Sequence, residues 1–587
     1  MPAIVVAVTV LALFALGYLT YSRYLAQKVY ALDPAFVTPA HEFADGVDFV
    51  PTNKHVLFGH HFTSVAGAAP IVGPAIAVFW GWLPALLWIT IGTIFAAGVH
   101  DFGAIAVSVR HKARNIGTLA SDVISKRSRV LFLLIIFFLL TLVNAVFAVV
   151  IGNLFVAFPG AVIPIFLEIP LAIAIGQYIY RTRTPALVPS LVGVIALYFL
   201  IWVGHQFPIE ITGLAEWLGM APRDVWVIIM FTYTFIASRL PVWLLLQPRD
   251  YINSHQLFIA LGVTFLGVLV GLDRIVAPAL RDDLPEGSPS IFPFLFITIA
   301  CGAISGFHSL VSSGTTSKQL DKETDARHVG YLGAVGEGSL ALASVLAVSA
   351  GVAATRVEWD NLYPDYATAS GGGVGNFVNG IAQFAGNLGV EITLAATFAA
   401  VVVVSFAATT MDTGVRLQRY IVQEIATIVR WHRLARSLTL AGLVAVIIPL
   451  LLALMPGSTD AGFAFGTLWR LFGTTNQLTA GLALAVIAVW VTKNRRNPVA
   501  ALVPMAFLLV MTVWALFVQL GEFWDAPERW VLVPLDLVIL VLALWLIVEA
   551  VLRMRRLVAE RRAEALPGGD GGPDVGADAD TGGDGQQ

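Results

Sequence analysis

Long apolar stretches succeed one another along this chain, each about the length of a helix that crosses a bilayer. A hydrocarbon slab about 30 Å thick requires roughly 20 apolar residues per helix. Fifteen such stretches are read, at 2–21, 56–80, 82–109, 130–153, 161–180, 186–205, 225–246, 255–272, 291–314, 329–352, 390–411, 437–456, 463–492, 498–519 and 531–553. Val130–Val150 is apolar on every face, with no stripe dividing a water side from a core side. The alternating pattern of an outer-membrane barrel is absent. A spanning segment must satisfy its own backbone hydrogen bonds, which a helix does. The predicted fold class is an all-α integral membrane protein with about 15 transmembrane helices.

Charge orders these spans. Cytoplasmic loops are rich in Lys and Arg. The basic loops hold Arg110, Lys112, Arg114, Lys126, Arg127 and Arg129, then Arg181 and Arg183, Lys318 and Lys322, Arg416 through Arg436, Lys493 with Arg495 and Arg496, and Arg553 through Arg562. Acidic loops hold Glu210 and Glu216, then Asp282, Asp283 and Glu286, then Glu358, Asp360 and Asp365. An odd count of spans fits this alternation, with the N-terminus outside and the C-terminus cytoplasmic. Pro2–Thr20 lacks the basic start and small-residue cleavage site of a signal peptide, so it reads as a retained first helix.

The organisation follows. Residues 1–55 are a first transmembrane helix and a cytoplasmic loop, and 56–411 are the core. Residues 412–436 read as an amphipathic basic helix on the cytoplasmic surface. Residues 437–553 add further spans, and 554–587 form a Gly- and Asp-rich tail expected to be disordered. Residues 353–389, with Gly371, Gly372 and Gly373, read as an external loop carrying a short interfacial helix.

Composition supports a membrane assignment over the whole length: 58% of the 587 residues are hydrophobic, 12% are charged, and mean hydropathy is +0.81. Soluble domains carry about 25% charged residues. The net charge of −3 offers no basic surface for nucleic acid. The single cysteine, Cys301, excludes an internal disulfide framework.

Polar residues inside the apolar spans carry the candidate chemistry. Phe58–Pro74 holds His60, His61, Thr63, Ser64, Gly59, Gly67, Gly73, Pro70 and Pro74 within one span. Gly and Pro release backbone groups from the helical ladder, which at membrane depth is tolerated only where those groups line a cavity or bind something. The reading is a helix broken around Gly67–Gly73 with a substrate or ion site at the break; the bland alternative is a proline kink packed by small residues. A second anomaly, Ala300–Gln319, clusters hydroxyls at Ser312, Ser313 and Thr315, oxygen ligands suited to a hard cation such as sodium. Alternatively those hydroxyls bond back to their own helix. In the third, Arg239 sits mid-span between Ser238 and Pro241, where an arginine is costly unless paired or wetted. It would hold an anionic carboxylate through its fork of donors, or form a structural ion pair.

Other ionisable groups inside spans are His100, Asp101, Glu337, Asp412 and Asp536. His100–Asp101 suits a proton relay, although neighbours on a helix point about 100° apart and need not touch. Asp412, at a span end, reads as a cap or a cytoplasmic pair. Enzyme signatures are missing: His41–Glu42 lacks the second histidine of a zinc helix, and no phosphate-cradling Gly-rich loop is present. No cofactor is implied beyond a sodium ion.

These runs resemble the carbon starvation protein A family. The resemblance is carried by His60–Trp82, Gly98–Phe102, Ala300–Leu310, Ser313–Gln319, Ala408–Thr413, Arg416–Tyr420, Leu468–Gly473 and Asn476–Gln477, and extends from about Pro51 to Trp490. It implies an inner-membrane carrier that scavenges nutrients, peptides or pyruvate, when carbon is scarce. It also implies kinship with the amino acid–polyamine–organocation carriers and a LeuT-like core of two inverted five-helix repeats. On that basis the spans containing Gly67, Ser238–Arg239 and Ser312 are expected to converge on one site. His60, His61, Thr63, Ser64, Gly67, Ala68, Gly73, Ser238 and Arg239 would bind substrate. His61, His100 and Asp101 would carry protons, and Ser312, Ser313 and Thr315 with the Gly67 carbonyl would hold sodium. The rivals from other classes are a membrane receptor read out through 412–436, and a channel.

Overall fold

The computed structural model describes residues 1–46, 48–182, 184–241, 243–455, 467–526 and 529–564. Arg183 and the tail from 565 onward lie outside the described residues. The helices used below are α1 (Ala3–Leu19), α2 (Lys54–Val65), α3 (Ala69–Ala77), α4 (Trp82–Gly92), α5 (Gly98–Val109), α6 (Lys126–Ala157), α7 (Val162–Thr182), α8 (Leu187–Gln206), α9 (Pro222–Ala237), α10 (Leu246–Gly271), α11 (Ile291–Thr298), α12 (Gly306–Val311), α13 (Leu332–Leu346), α14 (Tyr366–Gly386), α15 (Ile392–Ile428), α16 (Leu438–Ala453), α17 (Trp469–Lys493), α18 (Val499–Asp525) and α19 (Leu532–Glu564). Among the described residues, eleven helices are long and apolar enough to cross a membrane, or thirteen if each of two bent pairs is one span. The chain is a multi-pass membrane protein. Two of the fifteen expected spans fall outside that count: α16 has only 16 residues, and the stretch from 291 to 314 is interrupted between α11 and α12.

Enclosure by other helices does not track apolarity: both the uniformly apolar α6 and the polar-bearing α17 are surrounded. In α6, 83% of the most apolar window is buried, and in α17 all of it is. Such helices need no polar stripe because they have no wet side. The segment expected as an addition to the core, α17, is therefore central, with Asn476 fixing the start of α12 by accepting from the Phe307 N–H at 3.0 Å.

Two further boundaries differ from expectation. The surface helix expected from 412 is the continuation of α15, a single helix of 37 residues. Its polar positions Asp412, Arg416 and Gln418 are buried, so the amphipathic pattern reflects pairing with other helices and not exposure to water. The expected disordered tail begins as helix, since α19 runs to Glu564.

Contacts between loops sort the chain into two faces. On one, Ile275 donates to the Met1 carbonyl, Arg281 N–H to Trp80, Arg281 Nη1 to the Tyr363 carbonyl and Asn387 to Asp273. On the other, Arg110 pairs with Glu323, Arg129 with Glu424, and Thr52 bridges Leu320. The basic loops at 110–129 and 318–322 thus share the face opposite Met1. Helix α14 was expected as a loop with a short helix, because its glycines read as turn signals; it has 21 residues. Both its ends are tied to segment 273–281, so it covers that face instead of crossing. A Cβ at its Gly373 would lie 3.2 Å from Ile76, so glycine lets α14 rest on α3.

Candidate functional site

The helix predicted to break around Gly67 does so at Ala66–Ala68, and α2 and α3 meet at 50°. Asn53 caps α2 by accepting from the His55 N–H. Pro70 sits in the first turn of α3, where its missing N–H is no loss. At the break, Ala66 leaves helical geometry, and the Val65 carbonyl accepts from His308 Nε2 at 3.2 Å.

A second interruption faces the first. Residues 299–305 are non-helical between α11 and α12, with Gly302 at φ +97, a conformation that favours glycine. The two interruptions pack directly. A Cβ on Gly73 would collide with the Thr298 carbonyl oxygen, and one on Gly302 would meet Ala341 at 2.7 Å and Pro70 at 3.5 Å. Gly73, expected to bind substrate, is the contact where the broken helices cross. Gly73→Ala is expected to cost about 1–3 kcal/mol of stability through overpacking against backbone. Thermal unfolding of the purified variant checks this, and wild-type stability would show that α3 can shift freely.

Where the broken helices meet, His308 joins three elements. Its Nδ1 lies 2.8 Å from Asp101 Oδ2 on α5, and its Nε2 lies 3.2 Å from Glu337 Oε1 on α13 as well as from Val65 O. Asp101 Oδ1 is 2.7 Å from His100 Nδ1. His100 and Asp101, which were not required to touch, do touch. All four side chains are buried. A carbonyl oxygen only accepts, so His308 Nε2 carries a hydrogen. The movable proton is the one shared between Nδ1 and Asp101: either His308 is an imidazolium beside a carboxylate, or Asp101 is a neutral acid. Glu337 also accepts from the Gly302 N–H at 3.2 Å, tying the proton-bearing group to the second interruption.

The structure brings some expected residues to the break and not others. Ala68 is buried at the start of α3, and a Cβ on Gly67 would meet Thr410 of α15 at 2.5 Å. His60 and His61 point elsewhere: His60 Nδ1 lies 3.1 Å from Asp250, and His61 Nδ1 lies 2.8 Å from Thr316 Oγ1. Thr63, Ser64 and Ser238 donate to carbonyls of their own helices. Ser313 donates to Ser309 and accepts from the Ile116 N–H, so it turns toward 116–123, while Ser312 is buried with an unpartnered hydroxyl and Thr315 is half-buried. Arg239 is exposed over the Phe235 ring, because α9 ends just before it. It therefore does not stand as a mid-span carboxylate ligand. The expected third partner, the span ending at Ser238, packs on α6 and α16.

The most deeply buried arginine among the described residues is Arg249, 1% exposed, which sequence reading missed. It donates from Nη1 to Asp412 Oδ2 at 2.8 Å and to the Tyr233 hydroxyl at 3.0 Å. Asp412 is thus an interior pair and not a cap. The signal was the polar run Gln247–Ser254, which fell between the expected spans 225–246 and 255–272; α10 begins at Leu246 and takes it into the helix. Glu168, a lone acid inside an apolar span, and His308, inside the Ala300–Gln319 run, were the other legible signals not singled out.

The sequence profile described as "Carbon starvation protein CstA" matches residues 2–360 and 359–515. The peptide transporter CstA of Campylobacter jejuni is 34% identical over 87% of this chain and 79% of its own. That of Escherichia coli is 33% identical over 87% and 80%. The pyruvate/proton symporter BtsT of Escherichia coli is 30% identical over 88% and 82%. A solved manganese transporter of Eremococcus coleocola superposes with a TM-score of 0.42 at 14% identity, over 88% of this chain and 99% of its own, a likeness too loose to carry an argument.

Proposed function

Because this chain belongs to the carbon starvation protein CstA family, we propose that it is a proton-coupled secondary carrier of small nutrients, peptides or pyruvate. The single observation that carries the coupling is His308, buried between Asp101 and Glu337 and bonded to the Val65 carbonyl at the break. A group that holds a proton there and touches both broken helices links protonation to their packing. The crossing of two interrupted helices supports a LeuT-like core of inverted repeats. The shared face of the basic loops supports a bacterial cytoplasmic membrane, with the N-terminus outside and the C-terminus inside. The substrate carboxylate would sit at Ala66–Ala68, against the positive end of α3 and the Thr410 hydroxyl.

Proteoliposomes test this with labelled pyruvate and labelled dipeptides under imposed proton or sodium gradients. An inward proton gradient is expected to drive accumulation of one substrate class, with counterflow. Absence of uptake of either substrate under every gradient would sink the carrier reading, and binding without counterflow would favour a receptor. The unpartnered Ser312 hydroxyl keeps a sodium reading testable. Sodium-driven uptake lost in Ser312→Ala with Thr315→Ala would replace protons by sodium.

A further inference from the structure

His308 and its partners account for only part of the buried charge. A second cluster forms where α2, α7, α9, α10 and α15 meet. Asp412 Oδ2 accepts from both Arg249 Nη1 and the Tyr233 hydroxyl, each at 2.8 Å, which holds it as a carboxylate. Asp250 faces His60. Arg416, one helical turn beyond Asp412, donates to the carbonyls of Ala237 and Leu240 at the end of α9. Glu168 on α7 is fully buried and weakly held. Its Oε1 lies 3.5 Å from Arg249 Nε and makes no hydrogen bond, and its Oε2 accepts only from Ser405 at 3.4 Å. From α8, packed against α7, the titratable side chains are Tyr198 and His205, the latter directed at Glu391.

The charges do not balance. The guanidinium groups nearest the acids, Arg249 and Arg416, supply two positive charges against three negative ones from Glu168, Asp250 and Asp412, and the next buried arginine, Arg419, turns to the Tyr420 ring. The cluster is neutral only with one further proton, and a net charge in this interior is costly. That proton belongs on Glu168 or His60. His60 is in reach of its partner Asp250, whereas an ionised Glu168 would lack a full hydrogen bond from any charged donor. We propose that Glu168 is a second proton-binding group, with Arg249 as the element that responds to it. With Glu168 neutral, Arg249 gives Nη1 to Asp412 and leaves Nε and Nη2 unpartnered, as seen. On losing the proton, Glu168 draws those free N–H groups into a bidentate pair, and Asp412 then shares the guanidinium with a second carboxylate. Asp412 lies half a turn from Thr410, which packs on Gly67, and Asp250 holds His60 on α2. The state of Glu168 is therefore felt at the break without passing through His308.

The proposal rests on the proton-coupled reading above, so its test has a readout that does not require transport. Infrared titration of the purified protein is expected to show a buried protonated carboxyl band that disappears in Glu168→Gln. In proteoliposomes, Glu168→Gln is expected to lower the ratio of gradient-driven to counterflow uptake at least tenfold. Glu168→Asp should restore part of that ratio with a shifted pH profile. A carboxyl band unchanged in Glu168→Gln overturns the proposal, as does an unchanged uptake ratio and pH profile. If Glu168→Gln does not insert, the Glu168→Asp band decides: a shifted titration midpoint supports the assignment, and one identical to wild type overturns it. A wild-type protein that shows the band but moves no substrate would sink the carrier reading alone.

Discussion

His308→Asn is expected to destabilise the protein by about 3–5 kcal/mol and to reduce proton-driven uptake to background. The histidine is the shared partner of Asp101 and Glu337, at 2.8 and 3.2 Å, and none of these groups reaches water. Removing it leaves Asp101 with His100 and Glu337 with the Gly302 N–H, neither of them a full counter-charge. The second half of the prediction separates charge from shape: His308→Asn with Glu337→Gln should recover more than half of the lost stability, because one unpaired acid has been made neutral. Thermal unfolding in detergent reads both variants. A single variant as stable as wild type would show that His308 is not charged in the folded state and would remove the proton-sharing argument.

Arg249→Met carries the other large effect, again about 3–5 kcal/mol, since Asp412 and Glu168 lose the guanidinium that lies against both. Arg249→Lys keeps the charge but not the fork, so it should recover stability only in part. The control is Arg239→Met. That arginine is exposed at the end of α9, and its replacement should stay within about 0.5 kcal/mol of wild type. Equal losses at both positions would contradict the placement of Arg249 in the interior cluster.

The contrast between these arginines shows what could be read without coordinates. Apolar runs marked most spanning helices, because burial against lipid and against other helices asks for the same residues. Gly67 and Pro70 marked the break, because only local backbone chemistry is needed to see it. Arg249 was invisible for the opposite reason: its partner Asp412 is 163 residues away, and the polar run around it resembles a loop until that partner is known. The same holds for the second half of α15, whose buried polar face looks like a wetted one in projection. At the crossing itself the glycines were noticed for their freedom, yet Gly73 is there because the Thr298 carbonyl occupies the space of a side chain.

Helix α14 has one more consequence. It rests on α3 where Gly373 meets Ile76, and the Tyr363 hydroxyl just before it donates to the Ala75 carbonyl of α3, while its ends are fastened through Arg281 to the Tyr363 carbonyl and through Asn387 to Asp273. Helix α3 is therefore latched to its cover, so a shift of α3 relative to α14 has to break or carry the Tyr363–Ala75 bond. A displacement of α3 would then be passed through Tyr363 to Arg281 and the segment 273–281, so helix, cover and rim move as one latch.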